Sequence, residues 1–214
     1  MSEELEEYIS RHSSAEPDYL NSITRETNLN VLNPHMLSGH IQGRLLSMLS
    51  NMIRPRRILE LGTYTAYSAL CLAEGVLDEV VTIERNDELE DIIRANLGMS
   101  PLGAKVRPLT GDALQIVPAL EGMFDLVFID ADKREYCRYL DAVLPKVPSG
   151  GWIIADNTLW DGHITDPAYD RDRQTQGLRE FNDRVATDTS LTKVILPIRD
   201  GLTIIRKKAD GFTA

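Results

Sequence analysis

Three oxygen-bearing side chains end two successive predicted strands: Asp130 ends one, and Asp156 and Asn157 follow the next. Because the carboxyl ends of parallel strands form one edge of a sheet, we expect these side chains to lie close together. Carboxylate and amide oxygens without His or Cys suit Mg²⁺, Mn²⁺ or Ca²⁺ better than zinc. Two carboxylates would leave positions for water and substrate oxygens. The alternative is that these residues only cap the strands.

Lys133 lies three residues after Asp130, at the predicted start of a helix. The positive end of the helix dipole would lower the pKa of this lysine, and a nearby divalent cation would lower it further. Such a lysine could take a proton from a hydroxyl group bound to the metal. The alternative is a solvated surface charge.

The segment from Arg57 to Ala73 predicts a ligand cradle made of a buried strand, a tight turn and a helix. A loop that binds a pyrophosphate needs three glycines, so that backbone N–H groups can approach the phosphates. The loop that begins at Gly62 has one glycine before Ala66. The cradle therefore disfavours a dinucleotide.

Acidic and polar side chains around this loop suit a cofactor with an adenosine and positive charges. Glu84 ends the second predicted strand and could accept both ribose hydroxyl hydrogens, in NAD as well as in S-adenosylmethionine. S-adenosylmethionine also carries a sulfonium and an ammonium group, which suit Glu60 and Asp130. Ser68, in the first helical turn, could donate to its carboxylate, although it could equally be a surface serine.

Composition limits the class of protein. The chain has 214 residues and a net charge of −10, which argues against a general nucleic-acid or anionic-membrane surface. No apolar run approaches the roughly 20 residues of a membrane span, and the N-terminus is acidic. Cys71 and Cys137 both lie in apolar helical patterns and are predicted to be reduced core residues. A cytoplasmic protein is expected.

The hydrophobic pattern divides the chain into a helical extension, residues 1–53, and a domain of alternating strands and helices, residues 54–214. The alternation predicts an α/β fold, a doubly wound, mainly parallel sheet of seven strands with a closing antiparallel hairpin. Helices are predicted around Leu5–Ile9, from Pro17, and over Met36–Ile53, Ala66–Ala73, Asp87–Leu97, Ala113–Leu120, Glu135–Leu144 and Gly177–Thr187. Strands are predicted at Arg57–Leu61, Glu79–Glu84, Lys105–Thr110, Asp125–Asp130, Trp152–Asp156, Leu191–Pro197 and Leu202–Lys207.

Together these residues resemble the class I S-adenosylmethionine-dependent methyltransferases. Within that class the chain is similar to the cation-dependent O-methyltransferases that include the catechol and caffeoyl-coenzyme A enzymes. The resemblance runs from about Met36 to Lys207. Its most specific part is the run Phe128-Ile-Asp-Ala-Asp-Lys133, followed by Asp156-Asn157 after the next strand. It is also carried by Met36-Leu-Ser-Gly39 with Gln42-Gly43, Ile58-Leu-Glu-Leu-Gly-Thr63, Tyr67-Ser-Ala-Leu70, Tyr136 and Asp200-Gly201.

The resemblance assigns roles to individual residues. It implies that Lys133 is the general base and that Asp130, Asp156 and Asn157 bind the metal, with Asp130 also at the reacting centre. The residues that it places at the cofactor are Met36, Glu60, Gly62, Ser68, Glu84, Asp112, Ala113, Asp130 and Asp132. The substrate side is expected at Trp160, which could stack on an aromatic ring or simply pack, and at Arg199.

Two positions depart from the family pattern, which usually has Gly where this chain has Ala66 and Arg199. The methyl group of Ala66 could tighten the cofactor loop. Arg199 is expected to affect substrate specificity, because that end of the fold lies near the substrate in relatives.

The resulting expectation is a Mg²⁺-dependent enzyme, with Mn²⁺ or Ca²⁺ as other possibilities. It would transfer a methyl group from S-adenosylmethionine to a hydroxyl of a catechol-like small molecule. The resemblance also implies a homodimer. The alternatives are a nicotinamide-dependent reductase and a nucleotide-binding regulatory protein without catalytic activity.

Overall fold

Short apolar strands form the centre of the protein. The computed structural model describes residues 3–209, in which four central strands are buried along almost their whole length. The strands are β1 Arg57–Leu61, β2 Glu79–Glu84, β3 Val106–Thr110, β4 Leu126–Ile129, β5 Trp152–Ala155, β6 Leu191–Leu196 and β7 Leu202–Lys207. The α-helices are α1 Glu3–Arg11, α2 Asp18–Asn30, α3 Gly39–Ile53, α4 Tyr67–Ala73, α5 Glu90–Met99, α6 Ala113–Ala119, α7 Tyr136–Val143 and α8 Arg173–Thr187.

The strands form one sheet in the order β3-β2-β1-β4-β5-β7-β6. Strands β1 to β5 pair in parallel, and β7 runs antiparallel to both β5 and β6. The order reverses between β1 and β4, and in open α/β sheets such a reversal opens a crevice outside the strand ends. The predicted doubly wound, mainly parallel sheet with a closing hairpin is confirmed.

Helices cover both faces of the sheet, which is why its central strands are apolar on both sides. Helices α2 to α5 pack on one face around Ile58, Val80 and Phe128. Helices α6 to α8 pack on the other face around Leu59 and Val127. Side chains in a strand point alternately to the two faces, so residues two apart share a face.

The N-terminal helices contribute to the core of the sheet. Leu20, Ile23 and Leu46 are fully buried and belong to the cluster that contains the β1 residue Ile58. The division at residues 53 and 54 stays a prediction. Helix α3 begins at Gly39, not at the predicted Met36, because Pro34–Met36 form a separate 3-10 turn.

Helix α8 begins four residues earlier than predicted. Asp172 caps it by accepting hydrogen bonds from the backbone N–H of Thr175, at 2.8 Å, and from its hydroxyl, at 2.6 Å. Gly177 therefore lies inside the helix and does not start it. A Cβ atom there would lie 2.5 Å from the carbonyl oxygen of Lys133, so glycine lets α8 pack closely against the lysine turn.

Both cysteines are free thiols; Cys71 is buried and Cys137 is half-buried. Burial raises the pKa of the Cys137 thiol above its usual value. Over residues 3–209, no helix has the length and apolar character needed to cross a membrane.

We predict that Gly62→Ala destabilises the protein by about 3 kcal/mol, because it overpacks a rigid junction. A Cβ at Gly62 would lie 1.9 Å from the backbone oxygen of Asp130, and the φ of Gly62 is +96°. Denaturant unfolding of the purified variant would measure the loss. Gly98→Ala is the matched control, because a Cβ there would meet no atom within 4 Å apart from its chain neighbours and the backbone of its own helix. It should raise stability by up to about 1 kcal/mol, and equal effects of the two changes would contradict the prediction.

Candidate active site

A cleft of about 970 Å³ lies at the carboxyl ends of the central strands. Its walls also include residues 30–33 and 35–38 of the N-terminal extension. The sequence-predicted residues that line it are Met36, Gly62, Ser68, Glu84, Asp112, Ala113, Asp130, Asp132, Lys133, Asp156, Asn157, Trp160 and Arg199. Glu60 lies beneath the cleft and is fully buried. The fold therefore brings the predicted residues together around one cavity.

The loop after β1 is held by the end of β2. The backbone N–H of Tyr64 donates to Glu84 Oε2 at 2.7 Å, and that of Asn86 donates to Oε1 at 2.9 Å. A carboxylate oxygen can accept more than one hydrogen bond. Glu84 is thus fixed in place and still able to accept ribose hydroxyl groups.

Ala66 occupies a left-handed conformation, with a φ of +67°, at the N-terminus of α4. This conformation costs a residue with a Cβ about 1–2 kcal/mol and favours glycine. The Ala66 side chain is fully buried in the hydrophobic core and does not line the cleft. The effect of this methyl group on the cofactor loop stays a prediction.

Glu60 is a buried acid with one unpaired oxygen. Its Oε2 accepts a hydrogen bond from the Thr82 hydroxyl at 2.5 Å, whereas Oε1 has no hydrogen-bond partner among the described residues. Burial raises the pKa of Glu60 to about 8. A positively charged ligand above this position would stabilise the carboxylate, so the site fits a cationic cofactor.

Lys133 and Asp130 form an ion pair at the rim of β4. Lys133 Nζ donates to Asp130 Oδ1 at 2.8 Å, and both side chains are largely buried. Helix α7 begins only at Tyr136, because Lys133–Glu135 form a 3-10 turn. This turn is capped by Asp132 and leads directly into α7, so Lys133 lies at the start of a helical segment as the sequence predicts, with Asp130 as its ion-pair partner.

Asp156 is held by the N-terminal extension. Gln42, on α3, donates from Nε2 to Asp156 Oδ2 at 2.5 Å, and the backbone N–H of Asn157 donates to Oδ1 at 2.7 Å. Burial raises the pKa of Asp156 to about 7, and the negative charge of Asp130 adds to that shift. Gln42 belongs to the segments that carry the family resemblance, but nothing local to it in the sequence indicates a partner 114 residues away.

The three proposed metal ligands offer a suitable donor set. Asn157 adopts a φ of +57°, which asparagine tolerates well, and its Nδ2 donates to Asp200 Oδ2 at 3.3 Å. This bond leaves the amide oxygen of Asn157 to act as an acceptor or ligand. Within residues 3–209 no group of three His, Cys, Asp or Glu side chains is arranged for a metal. Two mutually repelling carboxylates and one amide oxygen still fit a hard divalent cation.

Asp112 and Asp132 already have partners. Asp112 caps α6 by accepting from the N–H of Leu114 at 2.9 Å. Asp132 accepts from Nε of Arg134 at 2.8 Å, and the arginine holds the pKa of that carboxyl below its usual value. Both residues line the cleft. A cofactor would therefore meet carboxylates whose orientation the protein has already set.

The loop that carries Trp160 is stabilised by stacking and by one arginine. The Trp160 ring contacts His163 edge-on, with centroids 6.4 Å apart, and His163 stacks on Tyr169 at 3.5 Å. Arg179, on α8, donates to the carbonyls of His163, Ile164 and Asp166 at 2.9–3.1 Å and to the Asp170 carboxylate at 2.7 Å. The composition of the loop did not reveal this arginine.

Solved structures identify the class of protein that has this fold and cleft. The chain superposes on an S-adenosylhomocysteine-bound methyltransferase of Podospora anserina, PaMTH1, with a TM-score of 0.87 and 30% identity over 97% of both chains. The sheet order, the single-glycine loop and the acids at the strand ends are thus those of a class I S-adenosylmethionine-dependent methyltransferase.

Sequence comparison specifies the family. The model of the O-methyltransferase family matches residues 10–208. The chain is 31% identical to caffeoyl-CoA O-methyltransferase of Petroselinum crispum, over 80% of this chain and 77% of that one. It is 32% identical to catechol O-methyltransferase of Niastella koreensis, over 72% of each chain. The chain belongs to the S-adenosylmethionine-dependent O-methyltransferases of the caffeoyl-CoA and catechol type. This membership favours the methyltransferase hypothesis over the nicotinamide-dependent reductase.

We predict that the cofactor-free protein loses stability as pH rises from about 4.5 to about 8. Over that range native Glu60 keeps a proton that the unfolded chain releases, because its pKa is raised from 4.5 to about 8. Asp156, whose pKa is raised to about 7, adds to the same trend. Glu60→Gln should flatten much of the slope in denaturant unfolding across this range. A wild-type stability that rises between these pH values would contradict the assignment.

We also predict that Arg179→Gln raises the KM for the methyl acceptor by about tenfold and leaves the Kd for S-adenosylmethionine nearly unchanged, because only the Trp160 loop loses its support. Steady-state kinetics and calorimetry would measure the two constants. Arg184→Gln is the control on the same helix, since Arg184 pairs at the surface with Asp141. Equal changes in the two variants would exclude a specific role for Arg179.

Proposed function

We propose that this protein is a Mg²⁺-dependent O-methyltransferase that methylates one hydroxyl of a vicinal dihydroxy aromatic compound. The observation that carries the proposal is the Lys133–Asp130 ion pair, which opens into the same cleft as Asp156, Asn157 and the single-glycine loop. A proton acceptor, a cation-binding donor set and a cofactor loop thus share one cavity.

S-adenosylmethionine would lie between the loop after β1 and the end of β2. Glu84 would accept the ribose hydroxyls, and Asp112 and Ala113 would lie beside the adenine. Glu60, Ser68 and the backbone near Met36 would hold the methionine end. When bound, the cofactor supplies an electrophilic methyl group on a sulfonium. The unpaired Oε1 of Glu60 supports this placement, because a cationic ligand above it would favour the carboxylate form of an acid whose pKa burial raises to about 8.

A divalent cation would be held by Asp130, Asp156 and Asn157, with Mn²⁺ or Ca²⁺ as alternatives to Mg²⁺. When bound there, the cation would act as a Lewis acid and favour ionisation of the acceptor hydroxyl. The support is electrostatic, since Asp156 is buried and the charge of Asp130 raises its pKa further. A positive charge between the two carboxylates would relieve their repulsion.

In this proposal Lys133 first releases its own proton to solvent, a loss that a divalent cation bound to Asp130 would favour, and its neutral amine then takes the proton from the reacting hydroxyl. Asp130 Oδ1, at 2.8 Å from Lys133 Nζ, stabilises the ammonium that results. The close packing of α8 against the backbone of Lys133, made possible by Gly177, holds the lysine turn in place. This deprotonation would ready the acceptor oxygen for the methyl group that the bound cofactor would supply, with S-adenosylhomocysteine as the other product. Catalysis is mainly orientation and charge stabilisation.

The acceptor would be a small aromatic molecule that packs on the Trp160 side of the cleft. Trp160 is half-buried in the cavity wall and is supported from behind by His163. An aromatic ring of the acceptor could pack against this indole. Two relatives named above act, by their names, on a catechol and on a caffeoyl thioester, and both acceptors carry a vicinal diol.

Association as a homodimer and a cytoplasmic location stay predictions. Exposed apolar side chains on α2 and α3 support association, because Leu29 is 68% exposed, Met48 62% and Met52 77%. Apolar surface of this kind is common where two chains meet.

We predict that Lys133→Ala lowers kcat by at least about 100-fold, the contribution of a positioned general base. The affinity for S-adenosylmethionine should survive, since the adenosine and methionine contacts lie elsewhere. Asp156→Asn should lose turnover as well, and excess chelator should abolish the wild-type activity. Methyl transfer to catechol, measured by mass spectrometry with and without Mg²⁺, tests all three.

Lys208→Ala is the control, because Lys208 follows β7 and lies outside the cleft. Full turnover of Lys133→Ala, or full wild-type turnover in chelator, would overturn the proposed mechanism. Absence of methyl transfer from the wild-type protein to any vicinal diol would favour the non-catalytic regulatory alternative.

A further inference from the structure

Arg199 connects two walls of the cleft that are far apart in sequence. It lies in the turn between β6 and β7, and its guanidinium reaches the N-terminal extension. Nη1 donates to the carbonyl oxygens of Leu37, at 2.7 Å, and Ser38, and Nη2 donates to that of His35 at 3.4 Å. All four residues line the cleft. The arginine therefore bridges the mouth of the cavity on the side of the extension.

The partners of this guanidinium are backbone carbonyls. Among the described residues no carboxylate lies within ion-pair distance of Arg199. A planar guanidinium can donate to several carbonyls at once, whereas a lysine amine cannot reproduce that fork. The bridge thus depends on the position of the main chain at residues 35–38.

The same turn also holds the Trp160 loop. The N–H groups of Leu159 and Trp160 donate to the Asp200 carbonyl at 2.7 and 3.0 Å. A Cβ on Gly201 would lie 2.4 Å from Leu159 Cγ, so the two segments are in close contact. The turn at residues 199–201 therefore joins the extension on one side to the loop behind the proposed acceptor on the other.

We propose that Arg199 is a specificity-determining latch. By joining the turn to residues 35–38, it closes the acceptor end of the cleft on that side. The enzyme then favours compact, single-ring vicinal diols and excludes acceptors whose ring carries a long chain in that direction. This inference rests on the proposed function, because it concerns the acceptor of the same site.

Glycine is a suitable replacement for testing the latch. Arg199 has a φ of +49°, a left-handed conformation that glycine adopts without strain. Arg199→Gly should therefore keep the turn while removing the bridge. Arg54→Gly is the matched control, because Arg54 also has a left-handed φ, of +52°, and lies outside the cleft at the end of α3. Arg199→Lys keeps the positive charge but lacks the planar guanidinium that donates to several carbonyls at once.

The experiment compares the methyl and octyl esters of protocatechuic acid, two neutral vicinal diols that differ only in chain length. For Arg199→Gly we expect the octyl-to-methyl ratio of kcat/KM to rise by about tenfold or more, as expected when a pocket wall is removed. Amide hydrogen exchange at residues 35–38 should become faster. Saturating S-adenosylmethionine separates the ester ratio from any loss of cofactor affinity through the backbone near Met36. Arg199→Lys should shift in the same direction, and Arg54→Gly should match the wild type.

An unchanged ester ratio in Arg199→Gly, or unchanged exchange at residues 35–38, would overturn the latch. If the wild type methylates neither ester nor catechol, the proposed function fails. The latch is then tested by amide exchange at residues 35–38 and by the affinities of the two esters, measured by tryptophan fluorescence. The octyl ester must gain affinity relative to the methyl ester in Arg199→Gly and Arg199→Lys, but not in Arg54→Gly.

Discussion

Negative charge gathered at the ends of β1, β4 and β5 is the constraint on which the rest of the structure depends. Glu60 and Asp156 are almost completely buried, and Asp130 is only partly exposed. Burying carboxylates is costly unless hydrogen bonds or positive charges compensate them. The protein compensates in part, through Thr82, Gln42 and Lys133. What remains uncompensated matches the charges of a cationic cofactor and, in the proposed mechanism, of a divalent cation.

The segments that enclose these acidic side chains lie outside the alternating strands and helices. Residues 30–38, the loop after β5 and the turn after β6 all border the cleft. Arg179 and Arg199 hold these segments mainly through backbone carbonyls. A hydrogen bond to a backbone carbonyl can form whatever side chain the accepting residue carries. The acceptor end of the site could therefore change its lining side chains without losing its framework.

Left-handed residues concentrate around the same cleft. Of the eight non-glycine residues with positive φ in the described chain, seven lie in or beside the segments that enclose it, and Arg54 is the exception. The seven are Asn33, Tyr64, Ala66, Asn157, Trp160, Asp161 and Arg199. A left-handed backbone conformation costs a non-glycine residue free energy, and it persists where surrounding contacts hold it. At Arg199 the bonds to the extension and the contacts of the turn with the Trp160 loop provide that support.

The sequence by itself determined the strands, the sheet type and the position of each acid at a strand end. These follow from local patterns, namely apolar runs, single glycines and the alternation of strands with helices. Residue patterns and the family resemblance together predicted thirteen residues that line the cleft. The acids among them meet there because parallel strands place their carboxyl ends at one edge. Only the tertiary structure decided that Gln42 donates a hydrogen bond to Asp156 and that Arg179 and Arg199 hold the walls of the cleft. It also decided that Gly177 lets α8 pack closely against the turn at Lys133. Those contacts join distant segments, often through backbone carbonyls, and a carbonyl group carries no residue-specific signal.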